Sequence, residues 1–243
     1  MIKKIKRTIS RILPQQAKKY LTPNKFADKT GVEFVENEII VHGYQQYKII
    51  ISPLAIYPIG INSLTKFNIL HYFLKQNIRD KSFIDIGSNN GLFVYMAALY
   101  GSSDTIGYDI DTDYIKTSET INRRLSLPHV HFVEKNIEEI NISADFTVFL
   151  SMIHWVYNKT SLYGSLDSVI EKLASLTNTC LIIEWVSEKD HKVLRDKHVL
   201  YNIDVMKEPY DFEHFDAALR KYFSSYELLG VNTPTRLVYA AWK

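Results

Sequence analysis

The stretch that most constrains this chain runs from Phe83 to Asp111 and reads FIDIGSNNGLFVYMAALYGSSDTIGYDID. A short apolar run, Phe83 to Ile86 broken by Asp85, ends at Gly87, and Gly91 follows four residues on. The next run, Leu92 to Tyr100, is long enough for a buried helix, and after Gly101 a second short strand ends at Asp109. Strand, glycine-rich turn, helix, strand and acid is the first half of a doubly wound α/β nucleotide site. Glycine there lets the backbone approach a ligand, because a Cβ would intrude or would need φ > 0. Asp109 lies 22 positions beyond Gly87, where an acid reaches a ribose hydroxyl pair.

The glycine spacing narrows the ligand. A dinucleotide fingerprint, G-x-G-x-x-G, uses its central glycine to clear room for a pyrophosphate. Asn89 fills that place here, so a pyrophosphate would meet a side chain. The pattern D-x-G-x-x-x-G, Asp85 to Gly91, instead resembles motif I of the class I S-adenosylmethionine-dependent methyltransferases. The resemblance runs from about Ile78 to Lys243 by motif and order of elements. It implies S-adenosylmethionine as cofactor.

Along the rest of that region apolar runs alternate with helical patterns. Strands are expected at Ser82–Ile86, Thr105–Asp109, His129–Val133, Phe146–Leu150 and Cys180–Glu184, with helices near Leu92–Tyr100, Thr112–Leu125, Leu166–Leu176 and Phe212–Phe223. Such alternation predicts a mostly parallel sheet with helices on both faces. The last two strands, Tyr226–Val231 and Arg236–Trp242, are joined by four residues and so must be antiparallel. The expected fold is therefore α/β and doubly wound, a seven-stranded Rossmann-like methyltransferase sheet closed by a C-terminal antiparallel hairpin. Residues 78–243 form that domain, behind a basic segment over residues 1–30 and a β/helical extension over residues 31–77. In the extension, Glu33–Ser52 reads as a hairpin or three short strands, and Ser52–Gly60, with two prolines, as a loop. Asn62 or Ser63 would then cap a helix that turns Leu64, Phe67, Leu70 and Leu74 to one face.

Ligands in such sheets sit beyond the carboxyl ends of the strands. The resemblance implies that Asp85, Gly87 and Gly91 form the floor beneath the methionine and ribose. Ser88, Asn89 and Asn90 would offer polar contacts to its amino and carboxyl groups. Asp109 would accept from both ribose hydroxyls, and Ile110 would pack on the adenine. Beyond strand three, Asn136 and Ile137 stand where many family members place an aspartate that reads the adenine amino group; an asparagine carbonyl can accept the same bond. After strand four, LSMIHWVYN carries Ser151 and His154 beside the transferred methyl, and imidazole has the acidity of a general base. Trp155 and Tyr157 either wall the acceptor pocket or pack in the core, and Glu184 at the end of strand five is the second candidate base. Tyr57 and Lys66 are candidates for the lid, and Arg236 could reach the acceptor side.

Charge is uneven along the chain. The net charge is only +2, which argues against the chain as a whole binding a nucleic-acid polyanion. From Met1 to Ala27, however, there are eight Lys/Arg and no acid. Ile2, Ile5, Ile9 and Ile12 recur at helical steps, so Met1–Leu13 reads as a short basic amphipathic helix. It is too short to span a bilayer; it either lies on an anionic membrane surface or is a solvated or docked tail. The single cysteine, Cys180, lies in a strand-like run and reads as a small buried hydrophobe. The histidines show no ligand spacing with cysteines or paired carboxylates, so a metal site is not expected.

A methyl sulfonium carries its own leaving group, so the protein need only align an acceptor lone pair and exclude water. A hydroxyl acceptor would use His154 or Glu184 as base; a phosphate would need cations, with Arg236, Lys66 and protonated His154 available. The segment from Leu150 through FEHFDAALRKYF and TPTRLVYAAW is similar to the methyltransferase half of bacterial O-antigen chain-terminating kinase–methyltransferases. That likeness implies O-methylation of a surface glycan, at a terminal phosphate or a sugar hydroxyl, by a cytoplasmic protein at the inner face of the membrane. A methyltransferase of a small metabolite or RNA, and a non-catalytic cofactor-binding module, remain the alternatives; the oligomeric state is not legible.

Overall fold

The structure, a computed structural model, describes residues 30–159, 165–196 and 208–243. The basic helix expected over residues 1–13 lies outside them. Four short strands come first: β1 Gly31–Val35, β2 Glu38–His42, β3 Tyr47–Ile50 and β4 Ala55–Pro58. Helix α1 spans Ile61–Asn77, followed by β5 Ser82–Ile86, α2 Leu92–Leu99, β6 Asp104–Asp109, α3 Thr112–Leu125 and β7 Val130–Glu134. Then come β8 Ala144–Phe149, α4 Ile153–Lys159, α5 Leu166–Ser175, β9 Thr177–Val186, α6 His191–Asp196, α7 Phe212–Tyr222, β10 Ser225–Thr233 and β11 Arg236–Trp242.

Seven strands form one sheet in the order β10–β11–β9–β8–β5–β6–β7. The five from β5 to β9 are parallel, while β11 inserts antiparallel between β9 and β10. The doubly wound fold and its terminal antiparallel hairpin are thus as the alternation required. The central strands are buried on both faces, so they read as nearly continuous apolar runs rather than alternating ones. Successive residues still go to opposite faces. Phe83, Phe146, Cys180, Ile182 and Val238 pack with α1, α2 and α3, whereas Ile84, Phe149, Leu181, Ile183 and Tyr239 pack with α4, α5 and α7. Cys180 is a buried free thiol whose pKa burial pushes up to about 12.

The same period decides the chemistry. Asp85 falls on the face of Phe83, and Glu184 on the face of Cys180 and Ile182, so both carboxylates point toward α1 and α2.

Strands β1 to β4 make a separate antiparallel sheet in sequence order. The segment expected to be a loop at Ser52–Gly60 therefore contributes the strand β4, which pairs with β3 through Ile49↔Ile56. Its proline, Pro58, stands at the strand end, where a missing amide costs little. The buried face of this sheet, Ile39, Val41, Tyr47, Ile49 and Ile56, joins the core cluster that contains Leu92, Phe93 and Met96 of α2. Helix α1 begins after Gly60, with no side-chain cap, rather than at Asn62 or Ser63. The Ser63 hydroxyl instead accepts from the Gln46 amide at 3.0 Å. Phe67, Leu70 and Leu74 are buried as the periodicity predicts, but Leu64 faces solvent.

Gly91 is held at φ +83, and a Cβ there would lie 2.7 Å from the Phe132 ring, which is itself packed against Tyr95. Gly91→Ala is expected to destabilise the fold by about 2–4 kcal/mol, from left-handed strain and overpacking together. Urea denaturation reads it as a lowered midpoint, and adding Phe132→Leu should recover the packing part; an unaltered midpoint would contradict this account.

Candidate active site

A cavity of about 600 Å³ opens at the carboxyl ends of β5, β6, β7 and β8. Asp85 and Gly87 line it from β5, Asp109 and Ile110 from β6, Asn136 and Ile137 from beyond β7, and Ser151 and Met152 from beyond β8. Tyr44 and Gln45, in the turn between β2 and β3, and Lys66 of α1 line it from the extension. Gly87 sits at φ +80, and a Cβ there would fall 2.8 Å from Met152 Cγ, so the two loops meet only because the side chain is absent.

Two carboxylates dominate one end. The Asn89 amide donates to Asp109 Oδ2 at 2.8 Å and the Asp111 amide to Oδ1 at 3.0 Å, which fixes the carboxylate at the strand end. Asn89 itself takes the left-handed conformation, φ 52, which a short polar side chain tolerates. Burial raises the Asp109 carboxyl despite those bonds. Asp85 goes further: burial first, and then the neighbouring Asp109, raise its pKa to about 8, against a smaller opposing effect of Lys66. Its Oδ2 is buried and, among the described residues, has no hydrogen-bond partner. An orphaned carboxylate oxygen is costly unless a ligand completes it. A ligand ammonium would do so, and Asp109 at the next strand end suits a ribose diol, so these residues fit the expected cofactor.

Other expected cofactor residues have different work. Asn90 is buried away from the cavity: its Oδ1 accepts from Thr30 at 2.6 Å, its Nδ2 donates to the His42 carbonyl at 2.9 Å, and its own carbonyl accepts from the Tyr47 hydroxyl. Ser88 is buried with its hydroxyl against Gly107, and Gly91 meets Phe132, so neither lies among the cavity-lining residues. Asn136 does line the cavity, but its carbonyl is committed: it accepts from the Glu138 and Glu139 amides and caps the short helix Ile137–Glu139. The side-chain amide, a donor, is what remains for a ligand.

At the opposite end a polar cluster joins α1, β9, β11 and the loop after β8. Lys66 Nζ lies 2.8 Å from Glu184 Oε2 and donates to Ser151 Oγ at 2.6 Å. Ser151 donates to Glu184 at 2.7 Å and accepts from Arg236 at 3.0 Å. The other carboxylate oxygen of Glu184 accepts from Asn232 at 2.7 Å. Arg236 in turn grips Asp190 through Nε and Nη2 at 2.9 and 3.1 Å. Burial alone would raise the Glu184 carboxyl, but Lys66, Ser151 and Asn232 hold it below the usual range. A carboxylate so satisfied is a poor base. Glu184 therefore anchors Lys66 and Ser151, which corrects its expected place as a candidate base.

His154 is corrected for a different reason. Strand β8 ends at Phe149 and α4 begins at Ile153, so residues 153–157 advance by about 100° each. That turns Trp155 and Val156 toward the cavity, while His154 is buried and outside its lining. Tyr157 is also a core residue, its ring centroid 4.9 Å from that of Tyr210 at a tilt of 58° and its hydroxyl donating to the Glu208 carbonyl. Tyr57 is 51% exposed on β4 and does not line the cavity. Sequence reasoning missed Tyr44, Gln45 and Lys192. The first two sit in a hairpin turn, where no apolar period exists to be read. The signal that could have found them is the polar run Tyr44-Gln45-Gln46 set between two strands.

A family model described as a methyltransferase domain matches residues 78–216, more than half of the chain. Magnesium protoporphyrin IX methyltransferase from Synechocystis PCC 6803, solved with bound SAH, is similar in structure, with a TM-score of 0.53 at 13% identity over 74% of this chain and 81% of that one. The same enzyme with bound SAM gives 0.53 and 13% over 73% and 78%. The bifunctional kinase–methyltransferase WbdD gives 0.51 and 19% over 73% of this chain and 37% of that one. At these identities the likenesses concern the fold.

Asp85 holds a proton at neutral pH while the site is empty, because its pKa is about 8 there. An ammonium bound against it favours the ionised form, so binding should release that proton and tighten as pH rises from about 6 to 8. The check is calorimetry with S-adenosylmethionine in buffers of different ionisation enthalpy. Asp85→Asn should abolish the buffer dependence and weaken binding about 10- to 100-fold.

Proposed function

This chain belongs to the methyltransferase-domain family, and from that premise we propose that it transfers a methyl group from S-adenosylmethionine to an oxygen of a surface glycan. The single observation that carries the cofactor part is the buried, unpartnered Asp85 oxygen opening on the cavity that Asp109 also lines. Asp85 would take the ammonium and Asp109 the ribose hydroxyls. Ile110, 69% exposed without a ligand, would pack with Ile137 against the adenine while the Asn136 amide donates to its edge. The cofactor supplies an electrophilic methyl on a sulfonium; the chain's own residues bind it, aim the acceptor and exclude water.

The glycan part rests on the resemblance of the region from Leu150 onward to O-antigen chain-terminating methyltransferases, and on the likeness in fold to WbdD. Lys66, Ser151 and Trp155 line the end of the cavity away from Asp109, where an acceptor oxygen, sugar hydroxyl or phosphate, would enter. We assign the protein to the cytoplasmic face of the membrane, with the eight Lys/Arg before Asp28 attracted to anionic lipid. Among the described residues no helix is long and apolar enough to cross a membrane.

Two measurements test this. S-adenosylmethionine should bind, and Asp109→Ala should weaken it by about 10-fold or more. S-adenosylhomocysteine should then accumulate with phosphorylated or unphosphorylated oligosaccharides and not with RNA or small metabolites. Absence of cofactor binding would refute the enzyme reading, and turnover only with RNA or a small metabolite would refute the glycan.

A further inference from the structure

Three polar loop residues, Ser88, Asn89 and Asn90, were expected beneath the amino-acid group of the cofactor, and only Asn89 lines the cavity. Two residues of the extension line it as well: Gln45 in the turn between β2 and β3, and Ser63 in the first turn of α1. Both lie outside residues 78–216, the part of the chain that the methyltransferase-domain model matches.

The polarity of their hydrogen bonds fixes what each can offer. A primary amide has one acceptor oxygen and one donor nitrogen. The Leu92 backbone N–H at the start of α2 is a donor, so the atom it meets at 3.2 Å is the Gln45 oxygen. The Gln45 Nε2 hydrogens are left over, with no partner among the described residues. The backbone amide of Gln45 donates to Asn89 Oδ1 at 3.4 Å, which seats the turn on the glycine loop. Ser63 is arranged in the same way. It is only 4% exposed, its oxygen accepts from the Gln46 amide at 3.0 Å, and among the described residues its own proton is unspent. Lys66 stands one turn further along α1, but its charge is answered by Glu184 at 2.8 Å. This wall of the cavity therefore presents neutral donors.

An α-amino acid carries an ammonium and a carboxylate on one carbon, a donor and an acceptor side by side. The unpartnered Asp85 oxygen suits the first, and Gln45 and Ser63 suit the second. We propose that Gln45, assisted by Ser63, binds the carboxylate of S-adenosylmethionine, so that the extension is a working part of the cofactor site and not only a cover over it. The inference deepens the methyltransfer reading above and rests on it. The two charges of the zwitterion are then gripped by different parts of the chain, the ammonium by β5 of the main sheet and the carboxylate by the β2–β3 turn and α1. Hydrogen bonds to an ionised partner are the stronger kind, so neutral donors suffice to hold it.

Calorimetry on the full chain tests this by comparing S-adenosylmethionine with its decarboxylated form, in which a hydrogen replaces the carboxylate. Wild type should bind the decarboxylated form about 30-fold more weakly or worse. Gln45→Glu keeps an oxygen for the Leu92 amide and exchanges the donor for an anionic oxygen, so its urea midpoint should stay close to that of wild type. Its affinity for S-adenosylmethionine should fall about 30-fold or more, while its affinity for the decarboxylated form should not fall. Ser63→Ala should lose about 5- to 10-fold for S-adenosylmethionine and less than about twofold for the decarboxylated form. Any loss that comes from damage to the fold weakens both ligands alike, so equal weakening in Gln45→Glu overturns the proposal. So does a wild type that binds the two ligands equally, or a Gln45→Glu variant that keeps the wild-type preference. Failure of wild type to bind either ligand overturns the methyltransfer reading and this role with it, whereas bound cofactor without that preference overturns this role alone.

Discussion

The buried ion pair between Glu184 and Lys66 holds the two parts of the described structure in register. Glu184 is fully buried near the end of β9, and a lone carboxylate there would be strongly unfavourable. Lys66 answers it from α1, Asn232 from β10 and Ser151 from the loop after β8. Losing one partner of such a pair typically costs about 3–5 kcal/mol, because the other charge stays buried. The extension helix is therefore held against the sheet at one defined height, and that height sets the wall of the cavity. Ser151 adopts φ 58 to bring its hydroxyl into the cluster, a strained conformation that three converging polar groups, Lys66, Glu184 and Arg236, maintain.

The extension is also the roof. Its apolar face merges with the core around α2, and its β2–β3 turn completes the glycine loop below. Gly91 offers no side chain to cap α2, and Gln45 supplies the missing acceptor to the Leu92 amide at 3.2 Å. Asn90 ties the same loop to Thr30, His42 and Tyr47. The loop that expects a ligand is thus shaped from both sides before any ligand arrives. Such preorganisation keeps a site's polar groups in place without reorganisation at the moment of reaction.

The cavity divides by charge. At one end two carboxylates lie close enough that the ionisation of Asp85 is suppressed by its own burial and by Asp109. At the other, Lys66 and Arg236 are paired with Glu184 and Asp190, and Lys192 lies over the Tyr44 ring. A ligand carrying positive charge on its amino and sulfonium groups suits the first end. Trp155 lines the same cavity, where an aromatic face adds attraction for a sulfonium.

How much of this was legible follows from the range of each signal. Strands β5, β8 and β9 are largely apolar runs, as strands buried on both faces must be, and they alternate with helical patterns, so the sheet and its terminal hairpin could be read directly. Gly87 and Asp109 could be read because a close backbone approach admits one residue type and a strand-end acid keeps a fixed distance from it. His154 could not, since the face it presents depends on where β8 stops and α4 starts, a boundary that no local preference marks. Nor could the partners of Glu184, drawn from positions 66, 151 and 232. Sequence by itself determined the fold and the floor of the site, because both rest on contacts between near neighbours and on backbone sterics. Tertiary structure alone decided which side chains are chemically active, because charge, burial and proton affinity depend on groups that only the packed chain brings together.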